Sequence, residues 1–146
     1  MTTHNQSELY KRIETSFMRQ GMMRNLGASL LRVEPGLCEV SLPHSERVSQ
    51  QQGGFHGGAM GTLADIAGGY AALTVAPLEA EVTTVEYKIN FLASFTGGEL
   101  RATGRVVKAG KRIIVTTADV VHVDTSGKQT PCAVMQQTIV PVTKTY

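Results

Sequence analysis

The stretch from Gly53 to Ala76, GGFHGGAMGTLADIAGGYAALTVA, constrains this chain more than any other. Seven of the fifteen glycines fall between Gly53 and Gly69, and the only formal charge between Arg47 and Glu79 is Asp65. From Gly58 onward Met60, Leu63, Ala64, Ala67, Ala71 and Val75 recur at three- and four-residue steps, which predicts a helix. Each glycine inside a helix costs about 1 kcal/mol against alanine. A helix of this composition survives when it is buried and another group must approach its backbone closely. With no polar face, it belongs at the centre of a fold.

The flanking sequence supplies what wraps it. Residues 7–20 place Leu9, Ile13 and Phe17 four apart, with Ser7 able to cap the start and Gly21 following the end, so a short amphipathic N-terminal helix is expected. Ser29 to Leu42 reads as extended, turning at Glu34-Pro35-Gly36. Val82 to Leu92 alternates, with Val85, Tyr87, Ile89 and Phe91 on one face and Glu86, Lys88 and Asn90 on the other. A turn at Thr96-Gly97-Gly98 ends it, and strands follow at Leu100–Lys108, Ile113–Val123 and Cys132–Val142. Four strands in series with short turns predict an antiparallel meander. The expected architecture is α+β: one domain over 1–146, an antiparallel sheet wrapped around one long central helix, its other face solvated or covered by a partner chain.

Composition removes several function classes. Fourteen basic residues against twelve acidic ones give a net charge of +2, too mild a field for non-specific nucleic-acid binding. Aromatics are 5% and Trp is absent, which argues against a base-stacking platform. No run of 18 apolar residues exists, so no membrane span is expected. Met1 to Gln20, carrying His4, Glu8, Lys11, Arg12 and Glu14, has neither an apolar core nor a small-residue cleavage site, which points to a cytoplasmic protein. Cys38 and Cys132, each in an apolar run, read as buried free thiols. The histidines have no HExxH or CxxC company, so no metal site is expected; GxSxG, GxGxxG and Walker motifs are absent as well.

Two features remain that carry chemistry. Burying an ionised carboxylate without partners costs several kcal/mol, so Asp65 has a compensating partner, opens onto a cavity, or reacts. The ordinary reading of a lone core acid is structural. His56-Gly57-Gly58 stands where the helix begins, and free amides plus the positive end of the macrodipole can polarise a carbonyl there, although a plain glycine turn has the same sequence. Asp65 follows Gly57 by eight residues, roughly 12 Å along a helix at 1.5 Å per residue. The two cannot touch one reacting carbon from the same subunit. If they share a site, Gly57 of one subunit meets Asp65 of another, which predicts a two-fold dimer. Apart from these, Arg101, Arg105, Lys108, Lys111 and Arg112 fall within twelve residues containing no acid. They form either a solvated basic hairpin or a grip for phosphates.

His56-Gly57-Gly58 followed by Asp65, the strand TTVEYKINFL and the turn GRVVKAGKR resemble the hotdog-fold acyl-CoA thioesterases of the phenylacetate-degradation type, relatives of the 4-hydroxybenzoyl-CoA thioesterases. The similarity spans about Gln50 to Val140. It implies a hotdog fold and hydrolysis of an acyl-CoA thioester, with no cofactor beyond the coenzyme A of the substrate. It implies that Asp65 is the general base or nucleophile, that the Gly57 amide polarises the thioester carbonyl, that Gln50 (or its neighbour Gln51) positions substrate or water, and that the Thr84 hydroxyl assists. His56, as an orienter of the helix entrance, and Gly58 would belong to the substrate-binding site, and Lys108, Gly110, Lys111 and Arg112 would bind coenzyme A. One departure is Leu92-Ala93-Ser94-Phe95, where the family often has an Arg-Pro pair. A homodimer is expected, or a tetramer built as a dimer of dimers. The alternative is a non-catalytic acyl-CoA-binding module; a hotdog dehydratase ranks last, because His56 precedes the helix.

Overall fold

The computed structural model describes residues 3–146. Helices α1 (Thr3–Arg19) and α2 (Gly21–Leu26) lead into strands β1 (Ser29–Glu34) and β2 (Leu37–Pro43). A 3-10 turn at Glu46–Val48 precedes helix α3 (Gly57–Leu73). Strands β3 (Ala80–Phe91), β4 (Glu99–Ala109), β5 (Ile114–Val123) and β6 (Gln129–Thr143) complete the chain. All six strands form one antiparallel sheet that curls around α3, the hotdog arrangement.

The glycine-rich helix is central, as its composition requires. Leu63, Ala64, Ala67, Ala71, Ala72 and Leu73 are almost wholly enclosed, packing with Leu42, Leu100, Ile114 and Ile139 from the strands. Close approach explains the glycines. A β-carbon on Gly104 of β4 would lie 2.1 Å from the Ala67 carbonyl oxygen, so the helix backbone rests directly on the strand backbone. The helix is not buried all round, however. Thr62, Asp65, Ile66 and Gly69 are only half-buried, and their spacing places them on one stripe, the side the sheet leaves open.

The C-terminus of α3 is latched by α1. Arg12 Nη1 donates to the carbonyls of Leu73 (3.2 Å) and Ala76 (3.4 Å), and Nη2 to those of Pro77 (2.9 Å) and Ala80 (3.1 Å). A guanidinium here satisfies carbonyls that a helix end leaves unpaired and sits at the negative end of the dipole.

Three expectations are corrected. The strands do not form a simple meander: the order is β1-β2-β4-β5-β6-β3, so β3 pairs with β6 rather than with β4. Residues 92–98 are therefore a crossing and not a hairpin turn. They are tied across the molecule by Phe55 N–H to Phe95 O (2.9 Å), His44 N–H to Gly98 O (2.9 Å) and stacking of Phe95 on His122 at 4.3 Å. The strict alternation of β3 is broken by a bulge between Thr84 and Glu86, where Val85 lacks a pairing partner. The first helix begins at Thr3, so Ser7 lies within it, and Gly21 opens α2 instead of ending the helical segment. Cys38 and Cys132 are free and fully buried, as expected.

Candidate active site

Asp65, singled out as a core charge without visible compensation, and Thr84, assigned a role only by resemblance, lie together. Thr84 Oγ1 donates to Asp65 Oδ1 at 2.7 Å. Both line a cavity of about 180 Å³ walled by Ser16 of α1, Gln20 between α1 and α2, Asp65, Ile66, Gly69, Tyr70 and Leu73 of α3, and Glu81 and Val82 of β3. Asp65 thus has a partner and also borders a cavity. Its Oδ2 has no hydrogen-bond partner among the described residues, yet no enclosed side-chain oxygen or nitrogen lacks one, so solvent reaches Oδ2. The small residues of α3 divide accordingly. Gly69 opens to the cavity, with nothing within 4 Å of where its β-carbon would stand, whereas Gly61 is closed by the Tyr87 hydroxyl at 3.1 Å.

Two side chains were missed in the sequence. Gln137 of β6 donates from Nε2 to Asp65 Oδ1 and to Thr84 Oγ1 (2.9 Å), and its Oε1 accepts from Thr116 Oγ1 of β5 at 2.8 Å. Gln137 is 1% exposed and Thr116 0%. Their signal was available: each is the polar member of an otherwise apolar inward phase, Ala133-Met135-Gln137-Ile139 and Ile114-Thr116-Ala118-Val120.

Tyr70 forms part of the cavity wall. Its hydroxyl lies 3.2 Å from Ser16 Oγ and accepts from Gln20 Nε2 at 2.8 Å. Burial pushes the Tyr70 phenol up to about 12, against the opposing pull of these hydrogen bonds.

The helix entrance forms a second cluster. His56 caps α3, its Nδ1 accepting from the Gly58 amide at 2.8 Å, which leaves Gly58 N–H committed. The Gly57 amide has no partner among the described residues, and the ring of Phe91 comes within 3.3 Å of where a β-carbon on Gly57 would stand. Gln50 shapes the approach: its N–H donates to Gly54 O at 2.8 Å and its Oε1 accepts from the Gln52 amide, whereas Gln51 is exposed. Gly57 and Asp65 lie on one unbroken helix, so within a protomer the entrance and the carboxylate stay roughly 12 Å apart.

The basic hairpin is a third, separate place. Lys108, Lys111 and Arg112 are exposed and pair with no carboxylate among the described residues, while Arg101 is engaged by Glu99 at 2.6 Å. Gly110 N–H closes the turn on Ile113 O at 2.9 Å. The hairpin borders Val75, Ala76 and Pro77, beyond the C-terminal end of α3 and opposite the Gly57 end. Among the described residues no group of three or more His, Cys, Asp or Glu is placed to hold a metal, and no helix is long and apolar enough to cross a membrane.

The chain is similar to known proteins in sequence and in fold. A Saccharolobus solfataricus protein, named as a candidate esterase, is 32% identical over 121 residues, 83% of this chain and 80% of its own. A 1,4-dihydroxy-2-naphthoyl-CoA hydrolase of Listeria monocytogenes is 32% identical over 62% of this chain and 74% of its own. A thioesterase family protein from Silicibacter pomeroyi superposes with a TM-score of 0.89 at 34% identity, covering 93% of this chain and 99% of that one. Escherichia coli PaaI, from the phenylacetic acid degradation operon, shares the fold at a TM-score of 0.83 and 20% identity, over 96% and 97% of the two chains. The sequence profile of the thioesterase superfamily matches residues 52–127, which hold the helix entrance, Asp65, Thr84, Thr116 and the basic hairpin. With over half its length matched in this way, and its acid set on the central helix of a hotdog fold, the chain belongs to the thioesterase superfamily, whose chemistry is hydrolysis of thioesters.

Proposed function

We propose that this protein hydrolyses an acyl-CoA thioester to a carboxylic acid and coenzyme A, in the manner of the phenylacetate-degradation branch of the family. The observation that carries the reading is the Asp65 carboxylate, anchored through Oδ1 and open to solvent through Oδ2 beside a cavity. Oδ2 either takes a proton from water as it attacks the thioester carbon or attacks that carbon itself. On the first route the C–S bond then breaks and coenzyme A leaves as a thiolate that takes up the proton held by Asp65. On the second the C–S bond breaks as an Asp65 anhydride forms, and water then hydrolyses the anhydride, which releases the acid, restores the Asp65 carboxylate and supplies the thiolate's proton. A positioned carboxylate contributes about 10²–10⁴-fold. The Gly57 amide, at the positive end of α3, stabilises charge developing on the carbonyl oxygen, worth roughly 3–4 kcal/mol for one such donor. No cofactor enters beyond the coenzyme A of the substrate. The Listeria relative, named as a hydrolase of a CoA thioester, is in keeping with this chemistry.

Gly57 and Asp65 act on one carbon only if they come from two protomers. The surface of β3 supports that. It is an edge strand of twelve residues, and Val85, Tyr87, Phe91 and Leu92 at its face and end are 58%, 42%, 52% and 55% exposed. A long apolar edge is a place where chains pair. A second copy docked there brings its helix entrance toward the half-buried stripe of α3 that carries Asp65. The complete unit is then a dimer with two equivalent sites, or a tetramer made of two such dimers. Lys108, Lys111 and Arg112 hold the phosphates of coenzyme A with the turn at Gly110, and Gln50 orients substrate or water at the entrance.

Asp65→Asn tests the reading. The variant should melt within a few degrees of the parent and release thiol from acyl-CoA about 10²–10⁴-fold more slowly. Unchanged turnover in the folded variant removes the mechanism. Tight coenzyme A binding without turnover in the parent protein identifies a binding module instead.

A further inference from the structure

Thr84 alone does not decide which oxygen of Asp65 faces the cavity. Gln137 contacts the acid a second time, 72 residues further along the chain. Its Nε2 donates to Asp65 Oδ1, lies 3.3 Å from the Asp65 carbonyl oxygen and donates to Thr84 Oγ1 at 2.9 Å. Its Oε1 accepts from Thr116 Oγ1 at 2.8 Å. Turning the carboxamide end for end would set its oxygen against the carboxylate, so the charge of Asp65 fixes the orientation, and Thr116 supplies the donor the other end needs. Every hydrogen-bonding position of this buried amide that the site requires is filled.

We infer that Gln137, backed by Thr116, is the positioning residue that assigns the chemistry to Asp65 Oδ2; this rests on the thioester hydrolysis proposed above. Oδ1 accepts from both Thr84 and Gln137 and is committed, which stops the carboxylate from rotating and leaves Oδ2 as the oxygen free to meet water or thioester. Thr84 is drawn into the same task. Its oxygen accepts from Gln137, so its own proton goes to Asp65 and is not available to the substrate. Thr84 therefore positions the acid rather than acting on the substrate itself. The fold makes room for the arrangement at Gly68, where a β-carbon would lie 2.1 Å from Gln137 Oε1 and 2.8 Å from Thr116 Oγ1.

The test is a double-mutant cycle on the full-length protein, reading kcat and KM for one acyl-CoA. Gln137→Leu in the parent should lower kcat about 100-fold, the scale of a misplaced reacting group, with KM changed about twofold or less. In the Asp65→Asn background the same substitution should change kcat by no more than about twofold, because its effect passes through the acid. An equal loss in both backgrounds overturns the inference, since a purely structural residue behaves that way. If Gln137→Leu does not fold, Thr116→Val and Thr116→Ser take its place. The serine should restore the kcat that the valine loses, and equal rates for the two variants overturn the inference. Full activity in Asp65→Asn alone is a different result: it removes the hydrolysis mechanism itself, and this inference with it.

Discussion

Two adjacent glycines of α3 should respond in opposite ways to the same substitution. At Gly68 an alanine methyl would stand 2.1 Å from Gln137 Oε1, 2.8 Å from Thr116 Oγ1 and 3.3 Å from Gln137 Cδ. Ordinary contact begins near 3.4 Å, so Oε1 must retreat by more than 1 Å. Gln137 is buried and bound at both ends, and the retreat breaks its bond from Thr116 and pulls Nε2 off Asp65 and Thr84. Helix propensity returns about 1 kcal/mol. Overpacking costs about 1–3 kcal/mol. Two or three weakened hydrogen bonds cost about 1 kcal/mol each. The net for Gly68→Ala is a destabilisation of about 2–5 kcal/mol, or about 6–15 °C in Tm for a chain of this size. At Gly69 the methyl meets nothing within 4 Å, so Gly69→Ala keeps the propensity gain and should raise Tm by about 2–3 °C. Thermal melts of the three proteins at one fixed concentration decide the matter, since self-association shifts apparent stability. A Gly68→Ala protein as stable as the parent, or a Gly69→Ala protein less stable than Gly68→Ala, refutes the packing described.

Replacing Lys108, Lys111 and Arg112 together by alanine should raise KM for acyl-CoA about tenfold or more while leaving KM for a truncated thioester without the nucleotide unchanged. The gap should narrow as salt is added; equal effects on both substrates would place phosphate binding elsewhere. Burial pushes the Cys38 thiol up to about 12 and the Cys132 thiol up to about 11, so neither should react with a thiol reagent at neutral pH until the chain is unfolded, and prompt labelling of the native protein contradicts their burial. Tyr70 ionises near 12 folded against 10.0 when unperturbed, so its share of the stability is intact below pH 10 and is lost as pH rises through 12. Denaturant titrations should show a smaller alkaline loss for Tyr70→Phe than for the parent, and identical curves would count against its enclosure.

Local pattern made the core of the fold legible. The apolar glycine run announced a central helix, and six of its residues recur at steps that need no partner to be seen. Period-two alternation and turn residues located the strands. Strand order was not legible, because which edge β3 joins depends on where α3 deposits the chain, and the glycines at 97 and 98 look the same in a crossing as in a hairpin. Asp65 was legible as an anomaly, a charge with no visible compensation. Its compensation lay on two other strands: Thr84 is 19 residues away and Gln137 is 72, and no local period connects them. A polar residue on the inward phase of a strand was the clue, and it carried information only once the opposing helix was known.

The Arg12 latch has a consequence for how the cavity wall is distributed along the chain. It clamps the N-terminal helix to the exit of α3, and Ser16 of that helix and Gln20 just after it form part of the cavity wall. One side of the wall is thus encoded upstream of residues 52–127, the portion that matches the family, whereas the rest of the wall, the acid and the helix entrance are encoded within it. A change at Ser16 or Gln20 therefore reshapes one side of the cavity without altering the helix that carries the acid.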